Sequence, residues 1–425
     1  MAVGSGPYVV DSFDLGKHIT YKRNADWWGK DLPVNRGRYN FDTIRYIIYL
    51  DPVPMREAIK GDEVDIAEVI SAKDWATEFD GDFVQKNYIV KQAFPHGRVS
   101  GMQGFAFNLR KPIFQNIKVR KAIAAAFDFA HYSENLFYGQ YTRHICYFDN
   151  HEELMSRGPA EGKVKERLIE LRKAHNDQAT GAVHIYKDAI TVGPYNIGEI
   201  PGKPPVPMDA RIAAANKVLD AEGWVFNKES GVRSKGGQDL EFDILIHSPV
   251  WQTHVGIYGE NLAKLGIKCG HKLVQPAEYI KRLETFDFEM IVQSFRQSAS
   301  PGNEQRDYWN SKAADVEGSR NVIGIRNPAV DEVVEALIEA RSRTDLVTEI
   351  QVLDRILSSN HYLVPQWYIS YDRALYWNRL RGPEQYAGKS RYEDNVLSWW
   401  WFDAAADSAL KAARDSGSAL PSATQ

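Results

Sequence analysis

The stretch GSGPYVVDSFDLGKHITYKRNADWWG at residues 4–29 constrains the chain most, because it spells a β-hairpin at the outset. Two glycines and Pro7 set a turn, Tyr8 to Phe13 runs as a strand, and Asp14-Leu15-Gly16 turns again. Ile19 and Tyr21 then alternate with Thr20 and Lys22, as a returning strand requires. A hairpin alone is marginal in water and needs neighbours to cover it. Those neighbours must come from a chain of 425 residues, too long for one ordinary core and suited to two or three domains or lobes.

Further elements follow from pattern. FDTIRYIIYL at 41–50 reads as a strand, Pro54 to Lys60 as a short helix and Val64 to Val69 as a strand, together a strand-helix-strand unit. MQGFAFN at 102–108 reads as a strand that leads through a Pro turn into a helix with Val119, Ile123, Ala126 and Phe127 on one face. Residues 162–175 form a charged helix, and EIPGKPPVP at 199–207 an ordered surface loop. Arg211 to Glu222 is helical, and two strands follow across a Gly-rich turn, Leu240 to His247 being the second. Helices at 255–265 and 276–285 alternate with strands at 267–274 and 288–295, and helices at 328–341 and 347–360 complete a βα-rich half. YLVPQWYISY at 362–371 is a strand-like run heading out of that half, WWWF at 399–402 lies in loops, and the Ser/Ala/Gly/Asp tail beyond about 412 is expected to be disordered.

Composition excludes several functions. The formal net charge is −4 with no long Lys/Arg run, so neither nucleic acid nor an anionic membrane is an expected partner. No stretch approaches the roughly 20 apolar residues that span a bilayer. Met1 leads into the hairpin with no charged n-region and no apolar h-region, so a secretory signal is not visible. Cys146 and Cys269 rule out a disulfide scaffold and Cys-rich zinc sites, and two packed thiols are favoured over a single bridge. Eleven Trp and twenty-one Tyr supply amphipathic surface for ligand pockets as well as core.

Catalytic motifs fail on spacing. RGPEQYAGKS at 381–390 has five residues between Gly382 and Gly388 where a phosphate loop needs four. HEELM at 151–155 places Met155 where a zinc-protease helix needs its second His. No Gly-x-Ser-x-Gly elbow occurs, and the eleven His are scattered. The expectation is a protein with no catalytic residues, no metal and no cofactor.

Ordered segments point elsewhere. GSGPY at 4–8, ITYKRNADWWG at 19–29, FDTIRYIIYLDPVPMREAIKGDEVDI at 41–66, FNLRKPIFQNIKVRKAIAAAFDF at 107–129 and AKLGIKCGHKLVQPAEYIKRLETFDFEMIV at 263–292 carry a resemblance, continued by NPAVDEVVEAL at 327–337 and LSSNHYLVPQWY at 357–368. The chain resembles the family 5 extracellular solute-binding proteins that deliver ligand to ABC transporters, and SPGNEQRDYWNSKAAD at 300–315 with SRNVIGI at 319–325 looks like the oligopeptide and microcin-uptake branch.

The resemblance implies an α/β fold of the two-lobed periplasmic binding-protein type (type II, large oligopeptide-binding class), here with lobe one incomplete. In the family the hairpin lies well inside the mature chain, so the sequence resembles an N-terminally truncated receptor. The implied organisation is 1–106 as the remaining part of lobe one, 107–366 as lobe two, 367–412 as the return to lobe one and 413–425 as a disordered tail. Lobes of this kind close over a ligand about crossing strands, here Gly104 to Asn108 and Pro365 to Tyr371.

Ligand contacts are then expected at cleft-facing segment ends. Gln103 and Asn108 can bond ligand amides or satisfy local backbone. Arg296 can receive a carboxylate bidentately or serve a structural pair. Asn303 and Glu304 sit on a turn after a strand, with Glu304 suited to an ammonium, and Tyr308 and Trp309 either wall the pocket or fill core. Arg120 and Asp128 are read as fixing a helix and are left out of the site. The implied partners are an oligopeptide or peptide-like ligand and the permease subunits, with the protein monomeric and periplasmic. Alternatives are a nickel complex, a sugar or an opine-like ligand, a peptide-handling enzyme, or a non-functional fragment with exposed apolar faces.

Overall fold

The computed structural model describes residues 4–49, 51–177, 181–192, 195, 206–383 and 392–421. The chain divides into two compact units, the first Met1–Gly97, Glu134–Gln140 and Ser370–Gln425, the second Arg98–Ser133 and Tyr141–Ile369.

In the first unit the expected hairpin is present. Tyr8–Asp14 pairs antiparallel with His18–Arg23, Phe13 opposite Ile19, across a turn in which Gly16 takes φ +77°. Thr43–Ile47 adds a third strand beside His18–Arg23. The helix Pro52–Lys60 follows, its first turn capped by the Asp51 carboxylate on the Val53 N–H at 2.7 Å. The next strand, Ile66–Glu68, belongs to a different sheet, ordered Ile66–Glu68, Tyr371–Trp377, Ile89–Pro95. Residues 41–69 are therefore not one strand-helix-strand unit. Thr43–Ile47 closes back on its own hairpin, whereas Ile66–Glu68 finds its partner some three hundred residues later.

Ile59, Val69, Tyr88, Ile89, Leu375, Trp377 and Leu410 make the core of this second sheet, and the Trp377 indole donates to the Ile59 carbonyl at 3.0 Å. The tail beyond 412 is a second correction. Ala404–Ser416 is a helix N-capped by Asp403, Leu410 and Ala413 are buried, and the Tyr88 hydroxyl bonds the carbonyls of Ala413 at 2.9 Å and Ser418 at 2.7 Å. An Ala-rich run has high helix propensity, and burial of Leu410 and Ala413 docks it. WWWF is likewise not all loop, since Tyr392–Trp399 is helical and Trp401–Phe402 pairs with Leu380–Arg381. Residues 384–390 of the phosphate-loop-like run, residues 199–205 of the Pro-rich connector and residues 422–425 of the tail lie outside the described residues.

The second unit is built on a five-stranded sheet ordered Lys268–Leu273, Glu241–Ile246, Met290–Ser294, Gln103–Phe107, Leu363–Pro365. The first three strands are mutually parallel, and Gln103–Phe107 runs antiparallel to both of its neighbours. Phe105, Ala106 and Phe107 are all buried, which fits a central strand covered on both faces. Helices Val250–Ala263 and Pro276–Glu284 connect the parallel strands, in the expected alternation.

Gln103–Phe107 lies wholly inside this unit, and the unit boundary falls at Gly97 and Arg98. Its glycine serves packing. A Cβ on Gly104 would stand 2.4 Å from the Val364 carbonyl oxygen and 2.7 Å from the Leu363 side chain. Gly104→Ala is expected to cost about 2–3 kcal/mol by forcing two strands apart, read as a lowered urea midpoint. An unchanged midpoint would show that the two strands are not so tightly apposed.

Candidate ligand-binding face

Glu241–Ile246, Met290–Ser294 and Leu363–Pro365 point the same way, so their carboxyl ends meet at one end of the sheet, together with the amino end of Gln103–Phe107. Carboxyl ends of parallel strands are where open α/β sheets bind ligands. Here that end carries aromatic side chains. The Trp367 ring lies 5.3 Å from His254, 5.9 Å from Trp251 and 5.9 Å from Tyr132, on which it stacks. Phe127 stacks on Tyr132 at 4.9 Å, and Phe105 stacks on Tyr258 at 5.2 Å beneath. Tyr132, Phe127, Phe105 and Tyr258 are buried, whereas Trp367, Trp251 and His254 keep part of their surface in solvent. A rigid buried floor thus presents partly exposed rings.

The face carries little charge. Burial pushes the His254 imidazole down to about 4, so it is neutral above about pH 5. The Arg143 guanidinium lies 5.3 Å over the Phe127 ring and is itself buried.

Backbone bonds hold Trp367 in place. Gln366 donates its N–H to the Gln103 carbonyl at 2.9 Å, His144 donates to the Gln366 carbonyl at 3.0 Å, and Trp367–Tyr368 pairs with Thr142–Arg143. The segment after Arg143 is fixed by two buried carboxylates. Asp149 accepts the N–H groups of Ile145 at 3.0 Å and Cys146 at 3.2 Å and lies 2.8 Å from His144 Nδ1, while Asp354 accepts the Tyr147 N–H at 2.7 Å. Burial pushes Asp354 up to about 7, with the neighbouring Asp149 charge adding to the rise.

That value has a sign. A carboxyl held well above its ordinary value of about 3.9 keeps its proton longer in the folded chain. Its contribution to stability is fully present below about pH 4 and is lost as pH rises through about 7. Asp354→Asn, which preserves the acceptor for Tyr147, is expected to flatten the fall in melting temperature between pH 5 and 8. Parallel profiles for variant and parent would contradict this burial account.

Both cysteines are free, and burial raises both thiols, Cys269 to about 12. Neither is a poised nucleophile.

Two expected contacts are core instead. Asn108 is fully buried, donating Nδ2 to the carbonyls of Phe286 at 3.0 Å and Phe288 at 2.8 Å and accepting on Oδ1 from Arg110 N at 3.2 Å and Nη1 at 3.0 Å. Its amide has no capacity left for a ligand. Trp309 is fully buried too, its indole donating to Gln305 Oε1 at 2.8 Å and its ring 4.8 Å from Phe295 and 5.3 Å from Tyr147.

The other expected contacts vary in what holds them. Tyr308 is buried with its hydroxyl accepting from Arg320 Nη1 at 3.2 Å. Asn303 Oδ1 accepts from Arg306 at 2.7 Å, and Glu304 Oε1 accepts from the Gly302 N–H at 2.9 Å and from Gln305 Nε2 at 3.2 Å. Gln103 is half-buried at the amino end of its strand, directly opposite Ser294. Arg296 is exposed two residues beyond Ser294, and its guanidinium has no side-chain partner among the described residues. Gln103 and Arg296 therefore share the strand-end region with Trp367. Sequence reasoning missed Trp367, Trp251 and His254. The available signal was Trp367's place just after a strand parallel to the βα unit.

Residues 1–156 match the model of the bacterial extracellular solute-binding proteins, family 5 Middle. Over this stretch the chain is similar to the family 5 solute-binding proteins. The probable peptide-binding protein YejA of Agrobacterium fabrum is 35% identical over 403 residues, covering 94% of this chain and 62% of that protein. A putative binding protein of Brucella suis is 36% identical over 401 residues, again 94% of this chain and 62% of the relative. The chain thus spans a little under two thirds of the length of these relatives. The fold is shared with the oligopeptide-binding protein AppA of Bacillus subtilis, solved in complex with a nonapeptide, at a TM-score of 0.65 and 16% identity over 94% of this chain and 66% of that one. The α/β architecture expected from the sequence is therefore that of the oligopeptide-binding proteins. Among the described residues no helix is long and apolar enough to cross a membrane, and no group of three His, Cys, Asp or Glu is placed to hold a metal ion.

Proposed function

We infer that this protein belongs to the solute-capture stage of an ABC transporter, taking up oligopeptides or peptide-like solutes in the periplasm and passing them to the permease. The single observation that carries the reading is the aromatic face at the strand ends, with Trp367 stacked over Tyr132 and flanked by Trp251 and His254. A peptide offers a regular backbone with variable side chains, and broad rings contact many side chains without reading one. Gln103 supplies an amide at the same end of the sheet, Arg296 an exposed guanidinium for a carboxylate, and Glu304, with Asn303 and Tyr308 beside it, an acidic group for an ammonium. The Agrobacterium relative described as peptide-binding supports the same ligand class. No bond is broken in this function.

The test is a thermal melt of the full chain with and without a pool of mixed tripeptides to pentapeptides. A ligand at about 100 times its dissociation constant adds roughly 2.7 kcal/mol to the folded state, so a cooperative transition should move up by several degrees. A transition that ignores peptide but rises with a sugar oligomer or a nickel–histidine complex would assign the face to that ligand instead.

A further inference from the structure

Asp80 and Gly81 form the one Asp-Gly pair in the sequence, and no Asn-Gly pair occurs. They join the helix Ala72–Thr77 to the short helix Asp82–Gln85, and both are exposed. An aspartyl side chain reaches the amide nitrogen of the next residue, and attack by that nitrogen on the carboxyl carbon closes a five-membered ring. Three things ordinarily prevent closure: a side chain on the next residue, a hydrogen bond on its N–H, or regular structure that fixes the backbone. Asp80 meets none of them.

Gly81 carries no side chain, and a Cβ placed there would meet no atom within 4 Å. Its N–H has no hydrogen-bond partner among the described residues, whereas its carbonyl accepts from Val84 and Gln85, each at 3.0 Å. The Asp80 side chain is 65% exposed, with the Lys91 ammonium 2.5 Å from Oδ1 and 5.1 Å from the centre of the Trp75 ring. An exposed ion pair opens readily, so it slows ring closure without blocking it. The three Asp-Ser pairs also have a small following residue, but regular structure holds them. Ser12 lies in the strand Tyr8–Asp14 opposite Thr20, and Asp407–Ser408 and Asp415–Ser416 lie in the helix Ala404–Ser416.

We propose that Asp80–Gly81 is a site of spontaneous covalent modification, at which the Gly81 nitrogen and a water molecule convert Asp80 to isoaspartate. The nitrogen attacks the protonated Asp80 carboxyl carbon and a C–N bond forms. The nitrogen gives up its proton, and one carboxyl oxygen leaves as water. Water then adds to the Asp80 main-chain carbonyl carbon and breaks its bond to the Gly81 nitrogen. Gly81 is left joined to the former side-chain carbon, beside a new free α-carboxylate. The two steps release one water and take up one, with no oxidant or reductant. The product lengthens the main chain by one carbon between Phe79, buried in the core of its unit, and Val84, packed against that core, so one of these contacts must shift.

The experiment incubates the folded full chain for several weeks in warm, mildly acidic buffer and locates isoaspartate by electron-transfer mass spectrometry of its peptides. The expected result is isoaspartate at Asp80 at least about tenfold above that at Asp11, Asp407 and Asp415. Gly81→Ala sits at φ −79° with open space for its methyl group, so it should fold like the parent and form at least about tenfold less. Isoaspartate at Asp80 no higher than at the Asp-Ser pairs overturns the proposal, and so does formation at the parent's rate in Gly81→Ala.

Discussion

Arg120→Leu is expected to destabilise the protein by about 3–5 kcal/mol, among the largest effects of any single substitution. Arg120 is buried and donates to four carbonyls, those of Phe114 at 2.7 Å, Gln115 at 2.9 Å, Asn360 at 2.7 Å and His361 at 2.9 Å. One guanidinium thereby ties the start of the helix Ile117–Ala125 to the turn that feeds the strand Leu363–Pro365. Leucine removes every donor and leaves those carbonyls without their charged partner. Burial lowers the guanidinium's pKa, but it stays protonated because its ordinary value is so high. Arg120→Lys should recover only part of the loss, since an ammonium has three donors and no planar fork. Urea unfolding of the three proteins measures this directly. A loss under about 1 kcal/mol for leucine would mean the carbonyls find other donors cheaply.

Trp367→Ala carries the largest expected effect on binding, a loss of roughly 10- to 100-fold in peptide affinity, in line with the 1–3 kcal/mol typical of a large aromatic contact. The ring is stacked from below by Tyr132 and flanked by Trp251 and His254, so it offers a preorganised surface and loses little freedom when a ligand arrives. Because the His254 imidazole is held near 4 by burial, this contribution should not change between pH 6 and 8. Trp309→Phe is the contrasting variant. Its indole is spent on Gln305 inside the core, so it should lower the melting temperature and leave peptide affinity unchanged.

Local pattern located most elements of the fold. The hairpin, the helix Gly162–His175 and the alternation of strands and helices from residue 241 to 294 are set by short-range turn chemistry and hydrophobic period, which sequence displays. Pairing across long separations is not displayed. Ile66–Glu68 and Tyr371–Trp377 could be joined only by seeing which apolar faces meet, and the return of Glu134–Gln140 to the first unit had no local mark.

The site was less legible for the same reason. Asn108 and Trp309 look like binding residues by type, but Phe286, Phe288 and Gln305 consume their polar atoms, and those partners come from other parts of the fold or from the facing turn of a helix. Trp367 looked like an ordinary strand aromatic. Its place on the aromatic face follows from the sheet order, which brings residues 103, 251, 254 and 367 to one end.

The most direct test of the central claim is isothermal titration of the full chain and of Trp367→Ala with a mixed tripeptide pool. The account predicts saturable heat in the parent and at least tenfold weaker binding in the variant. Peptide binding that Trp367→Ala leaves untouched, or no peptide binding in a chain that folds cooperatively, would contradict it.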